Sequence, residues 1–433
     1  MSLATTASLL ERDGHTLRVI DCPAVGLDRA RLEVLTKGFQ PDFVFWTTAT
    51  PTLNDDLNLA GFIKKNVPDA VTGVFGTHVT ALPEVALTNP SIDAVIRREP
   101  EQTIREICLH GPGDWERIDG LSFKDRETGR PRHNLDRGLL RPDDIPSPAW
   151  HYLDITPYRL PLKGRPFLIV APVRGCPYTC NFCTAPLYYG KRLRKRPVQE
   201  VVDEIENGMD KFGVKDFFVW ADTFTADRGY VKEFSMEIAA RELKISWTCN
   251  SRVDTVDREM LSLMKEAGLW MISFGLESGN DEVLEQTGKK ITVEQSKDAV
   301  SMAHELGIKT SGHFVLGLPG ETVASMRDTL RVALGLPLDI AQFYAAAPFP
   351  GTRLYDLALK KGWLQTDSPL AQDRAAMNLP GLPGQGVDAF RRYAYRRFYG
   401  RPKAAWNIIS MVEPRAVGHV LRSLGAFLGW ARE

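Results

Sequence analysis

The chain has 433 residues, of which 43% are hydrophobic, so it can bury the cores of two or three domains. Lys and Arg together number 54, as do Asp and Glu, and this balance leaves no broad basic field for a nucleic-acid backbone. No apolar run reaches the roughly 18 residues that span a bilayer, and no basic-then-apolar export signal opens the chain. Composition therefore predicts a cytoplasmic protein that binds no nucleic acid.

Residues 1–140 alternate short apolar strands with helical patterns. We predict helices over Ser2–Arg12 and Leu53–Asn66, and strands over Leu17–Asp21, Phe43–Thr47, Thr72–Gly76 and Ala94–Ile96. This rhythm predicts a doubly wound, flavodoxin-like α/β domain, whose ligands lie at the carboxyl ends of the strands. His78 follows the third of these strands, where a lone histidine also fits a hydrogen-bonded surface turn.

Residues 141–165 are predicted to form a linker, because the prolines of Asp143–Trp150 push the residues before them out of helical conformation. Six further units, each a strand followed by a helix, are predicted over residues 166–365, and they fit a partial parallel (β/α)6 barrel. The predicted strands are Phe167–Val173, Asp216–Trp220, Ile245–Cys249, Met271–Gly275, Thr310–Leu316 and Ile340–Ala345. In such barrels the chemistry gathers at the carboxyl ends of the strands.

Three cysteines follow the first strand of this barrel, in the run Arg174-Gly175-Cys176-Pro177-Tyr178-Thr179-Cys180-Asn181-Phe182-Cys183. Three thiolates at this spacing can hold one four-iron cluster and leave the fourth iron open to a ligand that is not protein. A structural zinc site would use a second cysteine pair, whereas the other cysteines are isolated along the chain: Cys22, Cys108 and Cys249. Six cysteines in a chain of this length also do not indicate a disulfide framework.

The cysteine spacing, with Phe182 before the last cysteine, resembles the radical S-adenosylmethionine (SAM) superfamily. The resemblance implies a [4Fe-4S] cluster whose open iron is chelated by the methionyl amine and carboxylate of SAM. It further implies that a low-potential donor, such as ferredoxin or flavodoxin, reduces the cluster, which then splits SAM to a 5'-deoxyadenosyl radical. The metal ligands of this chain would be Cys176, Cys180 and Cys183.

Polar residues after the next strands match the family's SAM contacts. The resemblance implies that Ala221 and Asp222 hold the methionyl amine, and that Glu277 and Ser278 contact the ribose. Asn250 and Arg252 follow the third strand and are likewise predicted to contact SAM. Residues 312–321 resemble the family's segment that packs on adenine. Each carboxylate taken alone also fits a helix N-cap, and Gly317–Glu321 fits a turn that enters a helix.

The front domain resembles the cobalamin-binding domain that precedes many radical SAM barrels. The resemblance rests on the segments after its strands and implies cobalamin contacts at Thr48, Thr50, Gly76, His78 and Thr80. No Asp-x-His-x-x-Gly motif is present, so no histidine is predicted to bind cobalt. The family domain normally begins with a strand, whereas this chain opens at a predicted helix; we therefore expect a start site downstream of the true one or a degenerate domain.

Residues 366–433 are predicted to form a C-terminal helical region. Phe390–Arg401 is rich in arginine and tyrosine. Arg415–Arg432 places six apolar residues on one helical face: Val417, Val420, Leu421, Leu424, Phe427 and Leu428. We expect this helix to pack over the barrel, with peripheral docking on a membrane surface as the alternative.

The domain order looks most like the group that includes the anaerobic magnesium-protoporphyrin monomethyl ester cyclase and hopanoid-tailoring enzymes. The resemblance implies an enzyme that modifies an unactivated carbon of a small or lipid-like substrate, with cobalamin-dependent methyl transfer. Two alternatives stay open: a radical cyclase or rearrangement enzyme with a degenerate cobalamin domain, and a non-catalytic iron–sulfur scaffold. A methylthiotransferase is disfavoured, because that group carries a second cluster domain and an RNA-binding module that this sequence lacks.

Overall fold

A computed structural model of the protein describes residues 1–125, 127–365, 370–422 and 425. The chain forms two compact units. The first consists of Met1–Asp154, Cys183–Arg192 and Phe349–Asp356, and the second holds the remaining described residues.

The first unit contains a five-stranded sheet with helices before and between its strands. Its helices are α1 (Ser2–Arg12), α2 (Arg29–Phe39), α3 (Leu53–Asn66), α4 (Thr77–Ala81), α5 (Pro83–Leu87), α6 (Glu101–His110) and α7 (Ala185–Tyr188). Its strands are β1 (Phe43–Thr47), β2 (Val71–Phe75), β3 (Ala94–Ile96), β4 (Leu121–Lys124) and β5 (Pro131–His133). The strands lie in the order β1-β2-β3-β4-β5, with the first three parallel and the last two antiparallel.

Alternation along these strands builds a core on both faces of the sheet. Phe75 and Ile96 pack with α1 and α6 on one face. Val74 and Val95, their sequence neighbours, pack with Leu57 of α3 on the other face. Successive side chains of a strand point to opposite faces of the sheet. When both faces are buried, apolar residues are favoured at every position, which explains the apolar runs in β2 and β3.

Several predicted elements of this unit have the bounds that the sequence indicated, among them α1, α3, β1 and β3. The predicted strand Leu17–Asp21 is wrong, because residues 15–21 have no regular structure. Leu17 is half-buried against the core, so the apolar-polar alternation reflects the packing of side chains rather than pairing in the sheet. The three parallel strands follow one another in sequence order, and the doubly wound topology stays a prediction.

The second unit is built on six parallel strands, each followed by at least one helix. The strands of its main sheet are β6 (Phe167–Val170), β9 (Asp216–Val219), β10 (Ser246–Ser251), β11 (Leu269–Glu277), β12 (Lys309–Leu316) and β13 (Ile340–Ala345), and a small hairpin joins β7 (Val173–Arg174) to β8 (Arg194–Lys195). The helices are α8 (Val198–Phe212), α9 (Arg228–Ala240), α10 (Arg258–Glu266), α11 (Asp281–Gln286), α12 (Val293–Glu305), α13 (Val323–Gly335), α14 (Arg353–Lys361), which begins in the first unit, α15 (Gly384–Tyr399) and α16 (Pro402–Met411).

The main sheet has the order β13-β12-β11-β10-β9-β6, with every neighbouring pair parallel. All six strands predicted for this region are therefore present, and the α/β fold with a parallel sheet is confirmed. Five helices of the unit begin at side-chain caps, and Thr292 and Gln295 form a capping box at α12. Each cap accepts a hydrogen bond from one free N–H group of the first turn and helps fix where the helix begins.

Helix α15 covers the outer edge of β13. The hydroxyl of Tyr395 accepts a hydrogen bond from the Phe343 N–H at 3.1 Å, and the Tyr399 hydroxyl donates to the Ala341 carbonyl at 2.8 Å. These bonds occupy groups that an edge strand otherwise leaves open to another chain. The packing predicted for Arg415–Arg432 concerns a different segment and stays a prediction.

The second predicted C-terminal helix falls partly outside the described residues. Residues 417–422 are helical, with Val417 and Leu421 exposed, whereas Leu424, Phe427 and Leu428 lie outside the described part. Docking of this segment on a membrane surface stays a prediction. Among the described residues, no helix combines the length and the apolar character needed to span a bilayer.

Candidate cofactor site

The first predicted cluster ligand lies beside the end of β9. Cys176 is buried, and its Sγ lies 3.7 Å from the Thr223 hydroxyl. The N–H of Gly175 donates to an Asp222 carboxylate oxygen at 3.1 Å. The start of the cysteine loop is therefore joined to the predicted SAM-binding residue Asp222 by a direct hydrogen bond.

The second ligand, Cys180, lies beside a buried guanidinium. Nη1 of Arg252 is 3.8 Å from the Cys180 Sγ, and the Arg252 guanidinium stacks 3.7 Å from the centre of the Tyr178 ring. Burial raises the pKa of the Cys180 thiol, while the charges of Lys289 and Arg252 act to lower it. The surroundings of Cys180 thus combine partial burial with cations that favour a thiolate.

Cys183 begins the chain segment Cys183–Arg192, which belongs to the first compact unit. Its Sγ accepts a hydrogen bond from the Ala185 N–H at 3.5 Å. In the described part of the chain, no three His, Cys, Asp or Glu side chains form a group that could hold a single metal ion. An iron–sulfur cluster has a different requirement, since each cysteine binds its own iron, and no disulfide joins any two of the six cysteines. The thiol donors of these cysteines therefore match the ligand chemistry of an iron–sulfur cluster.

Asp222 follows the buried Ala221 at the carboxyl end of β9. Burial raises the pKa of Asp222 to about 6, against the opposing effects of the Gly175 N–H, Arg194 and Arg174. A carboxylate that is costly to keep charged gains from a bound ammonium group. Asp222 therefore suits the amine of an amino-acid ligand.

Arg252 is fixed just after β10. Its Nε and Nη2 atoms bond the two carboxylate oxygens of Asp254 at 2.9 and 2.8 Å, and Nη2 also donates to the Lys289 carbonyl at 2.6 Å. Asn250 is half-buried within β10, two residues earlier. The predicted SAM residues Asn250 and Arg252 therefore lie at the same strand end, with Arg252 directed to the cysteine loop.

Glu277 ends β11 in the left-handed backbone region, with φ at +60°. Its carboxylate forms a buried ion pair with Lys289, whose Nζ also donates to the Gly275 carbonyl at 2.7 Å. Lys289 was not among the predicted site residues, because Gly288-Lys289-Lys290 in the sequence looks like a solvated loop. The structure thus adds a buried cation to this strand end.

Ser278 makes a different contact from the one predicted for it. It is buried, and its hydroxyl lies 3.2 Å from the hydroxyl of Thr329 in α13. The Thr329 hydroxyl also accepts from the Gly279 N–H at 2.9 Å. These bonds tie the end of β11 to α13, and a ribose contact for Ser278 stays a prediction.

The segment after β12 forms a turn closed by its own carboxylate. Glu321 accepts hydrogen bonds from the N–H groups of Gly317 and Leu318, the latter at 3.2 Å. Burial raises the pKa of Glu321 to about 8, while the two N–H groups act to lower it. Gly317–Glu321 therefore forms the turn that the sequence allowed as an alternative. The predicted packing of residues 312–321 on adenine stays a prediction.

The residues predicted to bind cobalamin gather at the carboxyl ends of β1 and β2 in the first unit. Nδ1 of His78 lies 3.1 Å from the Thr50 hydroxyl, and burial lowers the pKa of His78, so its imidazole is neutral near pH 7. The Thr80 hydroxyl accepts from the Arg98 N–H at 2.9 Å. These contacts orient the side chains that follow β1 and β2.

One feature of this edge fixes the backbone conformation, and a second suits a polar contact to a bound group. Gly76 has φ at +146°, and a Cβ placed there would lie 2.0 Å from the Thr48 carbonyl oxygen. The Thr48 hydroxyl is buried without a hydrogen-bond partner. A buried hydroxyl without a partner is costly unless a ligand or water completes its bonding. The residues present therefore fit a polar contact to a bound group.

A six-stranded parallel sheet, a three-cysteine loop after its first strand and charged side chains at the following strand ends define a SAM-dependent iron–sulfur domain. The sequence profile described as the radical SAM superfamily matches residues 170–333, which include the cysteine loop and the strands β9 to β12. The chain belongs to the radical SAM superfamily, and the prediction of a radical SAM enzyme is confirmed.

Relatives extend the similarity beyond the matched domain. An uncharacterized methyltransferase of Pyrococcus horikoshii is 36% identical over 410 residues, which cover 93% of this chain and 88% of the relative. A cytidylyl-2-hydroxyethylphosphonate methyltransferase of Streptomyces wedmorensis is 27% identical and covers 94% of this chain and 88% of its own length. An anaerobic magnesium-protoporphyrin IX monomethyl ester cyclase of Cereibacter sphaeroides is 30% identical, covering 82% of this chain and 59% of the cyclase.

A solved structure shares the fold over nearly the whole chain. The radical SAM methyltransferase TsrM from Kitasatospora setae, with cobalamin and a [4Fe-4S] cluster bound, superposes with a TM-score of 0.72. The alignment covers 95% of this chain and 88% of TsrM at 18% sequence identity. Both the front region and the parallel sheet of this chain therefore have counterparts in one known fold.

Proposed function

We propose that this protein is a cobalamin-dependent radical SAM methyltransferase that acts on an unactivated carbon of a small or lipid-like substrate. The observation that carries the proposal is the cysteine loop at the carboxyl edge of a parallel sheet, tied directly to the predicted SAM residue Asp222. Similarity to two methyltransferases over more than nine-tenths of this chain supports methyl transfer as the outcome.

Cys176, Cys180 and Cys183 would each bind one iron of a [4Fe-4S] cluster. When bound, that cluster supplies the electron that cleaves SAM, after reduction by a low-potential donor of the ferredoxin or flavodoxin class. Burial of Cys176 limits access of water to this side of the loop. The protein's own part is to hold three thiolates in one loop and to leave an iron position for SAM.

The charged side chains around the loop match the charges of SAM. Asp222 would accept the methionyl ammonium, and the bound cation would lower its raised pKa, so that Asp222 becomes fully ionised on binding. Asp222 lies beside the start of the cysteine loop, whereas Arg252 lies farther along it, next to Cys180. The Arg252 guanidinium there suits the carboxylate of SAM. Glu277 would accept the ribose hydroxyls while Lys289 holds its carboxylate in place.

The front unit would bind cobalamin at the ends of β1 and β2. Thr48 offers a hydroxyl without a partner, and Gly76 keeps the backbone free of a side chain at this edge. Thr50 and His78 brace one another, and Thr80 is fixed by Arg98, so all three present polar atoms in set orientations. No residue of this chain is assigned to cobalt.

A radical cyclase is the second candidate, since the similarity to the Cereibacter sphaeroides cyclase covers 82% of this chain. Labelled methyl groups separate the two reactions. Holoprotein supplied with methyl-labelled SAM and with metabolite extract from a deletion strain should produce a labelled product if it is a methyltransferase. A cyclase would form deoxyadenosine and an unlabelled product.

Cysteine variants test the cluster assignment. Replacing Cys176, Cys180 or Cys183 by alanine, one at a time, should abolish deoxyadenosine formation and lower the iron content of the reconstituted protein. As matched controls, alanine variants of the isolated cysteines should keep the wild-type iron content: Cys22, Cys108 and Cys249. Loss of the cluster in one of these controls would overturn the ligand assignment. Deoxyadenosine from the wild type would exclude a scaffold without catalysis.

Corrin absorbance tests the cobalamin site separately. Protein produced with added cobalamin should show corrin bands that remain after gel filtration, and Thr48→Val, which removes the hydroxyl without a partner, should weaken their retention while the protein keeps its iron–sulfur cluster. Wild-type protein that carries the cluster but no corrin would contradict the cobalamin part of the proposal and favour the cyclase alternative.

A further inference from the structure

Arg252 is a buried charged group beside the cysteine loop. Its side chain is 5% exposed although it carries a full charge, and three protein groups hold its guanidinium. Tyr178 lies against its flat face at 3.7 Å, and Asp254 bonds one edge of the guanidinium through two oxygens. The Lys289 carbonyl bonds Nη2, which leaves Nη1 directed at the Cys180 Sγ.

We propose that Arg252 is a positioning residue that donates an N–H···S hydrogen bond to the Cys180 thiolate and thereby raises the reduction potential of the cluster. This inference rests on the proposed function, because it presumes that Cys180 binds iron. It assigns to Arg252 a task in the protein before SAM arrives, separate from any contact to the SAM carboxylate.

The physical reason lies in the charge that the cluster gains on reduction. One added electron makes the thiolate sulfurs more negative, so a hydrogen bond to sulfur stabilises the reduced form more than the oxidised form. The N–H groups of a guanidinium are charged donors, and bonds from charged donors are stronger than those from neutral ones. The distance of 3.8 Å permits such a bond, which would shorten as the sulfur gains charge.

The geometry indicates that the direction of the bond matters more than net charge. Asp254 neutralises much of the Arg252 charge, just as Glu277 neutralises Lys289 nearby. The feature specific to Arg252 is that its contacts with Tyr178, Asp254 and the Lys289 carbonyl direct Nη1 at a cysteine sulfur. That sulfur is the Cys180 Sγ. A lysine cannot reproduce that arrangement, because its single ammonium group lacks the planar fork that meets Asp254 and Cys180 together.

The test is an EPR-monitored redox titration of the reconstituted holoprotein without SAM. Arg252→Gln should lower the equilibrium constant for one-electron reduction about tenfold, which corresponds to a potential about 59 mV more negative. Arg252→Lys should shift it in the same direction by a similar amount. Asp254→Asn should shift the potential in the same direction by a smaller amount, because it weakens one of the three contacts that aim the N–H at the sulfur.

A matched control separates this effect from general damage. Arg196→Lys alters another buried arginine, which pairs with Glu204, and should leave the potential unchanged. Iron and sulfide are measured for each variant, and if Arg252→Gln loses its cluster, Arg252→Lys and Asp254→Asn decide the result.

Unchanged potentials in the Arg252 and Asp254 variants would overturn the inference. If these same variants bound SAM more weakly in calorimetry, Arg252 would serve the SAM carboxylate alone. A wild-type protein without a four-iron cluster would instead refute the proposed function. The two failures are therefore distinguishable within one set of samples.

Discussion

The buried ion pair between Glu277 and Lys289 allows a quantitative prediction about the end of β11. Their side chains are 10% and 6% exposed, and removing one partner of a buried pair costs about 3–5 kcal/mol of folding free energy. Lys289 keeps its bond to the Gly275 carbonyl when Glu277 is lost, so we expect Glu277→Ala near the lower end of that range. Glu277→Gln should behave similarly, because an amide does not neutralise the ammonium.

The backbone of Glu277 adds a second, opposing contribution. Its φ of +60° is a left-handed conformation that costs a residue with a side chain about 1–2 kcal/mol. Glycine adopts this conformation without that cost. Glu277→Gly should therefore be more stable than Glu277→Ala by about 1 kcal/mol, even though both variants lose the same carboxylate.

Urea unfolding of the full chain, read together with hydrogen exchange at the amides of β11, measures these differences. The double variant Glu277→Gln with Lys289→Met should recover most of the loss, since no charge is then buried without a partner. In anaerobic calorimetry on the cluster-loaded protein, Glu277→Ala should also weaken SAM by about 1.5–3 kcal/mol, as expected for hydrogen bonds to a charged group.

Three results would refute this reasoning, each at a different step. Equal stabilities of the Glu277→Gly and Glu277→Ala variants would show that the backbone conformation carries no strain. A double variant as unstable as the single ones would show that the loss does not come from an unpaired charge. Unchanged SAM affinity with lowered stability would assign Glu277 to the structure alone.

Two further predictions concern a carboxylate and a glycine elsewhere in the chain. Because the pKa of Glu321 is raised from 4.5 to about 8, the folded protein binds this proton more tightly than the unfolded chain, and stability should fall as the pH rises through that window. The fall is at most about 5 kcal/mol, and Glu321→Gln should remove it from urea midpoints measured between pH 5 and pH 8. Gly76→Ala should destabilise the first unit by about 3 kcal/mol, since its Cβ would meet the Thr48 carbonyl and its φ is +146°. Gly38→Ala, with open space around its Cβ in α2, is the matched control, and thermal unfolding should show it about 0.5–1 kcal/mol more stable.

Sequence periodicity predicted the bounds of several strands, both inside a sheet and at its edge. Ile340–Ala345 and Ala94–Ile96 have the bounds that the sequence indicated. The error at Leu17–Asp21 arose because alternation of apolar and polar residues is the same for a paired strand and for an extended segment that rests on a core. Only the presence of a partner strand distinguishes them, and that depends on distant residues.

The candidate site likewise contains residues that the sequence could predict and residues that it could not. The cysteine loop and Asp222 could be found from spacing and strand order, and the structure joins them through Gly175. Lys289 could not be found, because it meets Glu277 across a helix and a loop, and a lysine after a glycine is usually solvated. Ser278 was placed near the correct strand end, but its bond to Thr329 depends on where α13 packs.

Helix α15 can cover the edge of β13 because the spacing of its two tyrosines matches the spacing of residues along the strand. Tyr395 and Tyr399 are one helical turn apart, a rise of about 6 Å, and the residues they bond, Phe343 and Ala341, are two apart in a strand, a rise of about 6.6 Å. A helix can therefore stand in for a neighbouring strand wherever two hydroxyls recur at this interval. Inserting one residue between the two tyrosines would turn the second hydroxyl away by about 100°, and the exposed edge would then invite pairing with another copy of the chain.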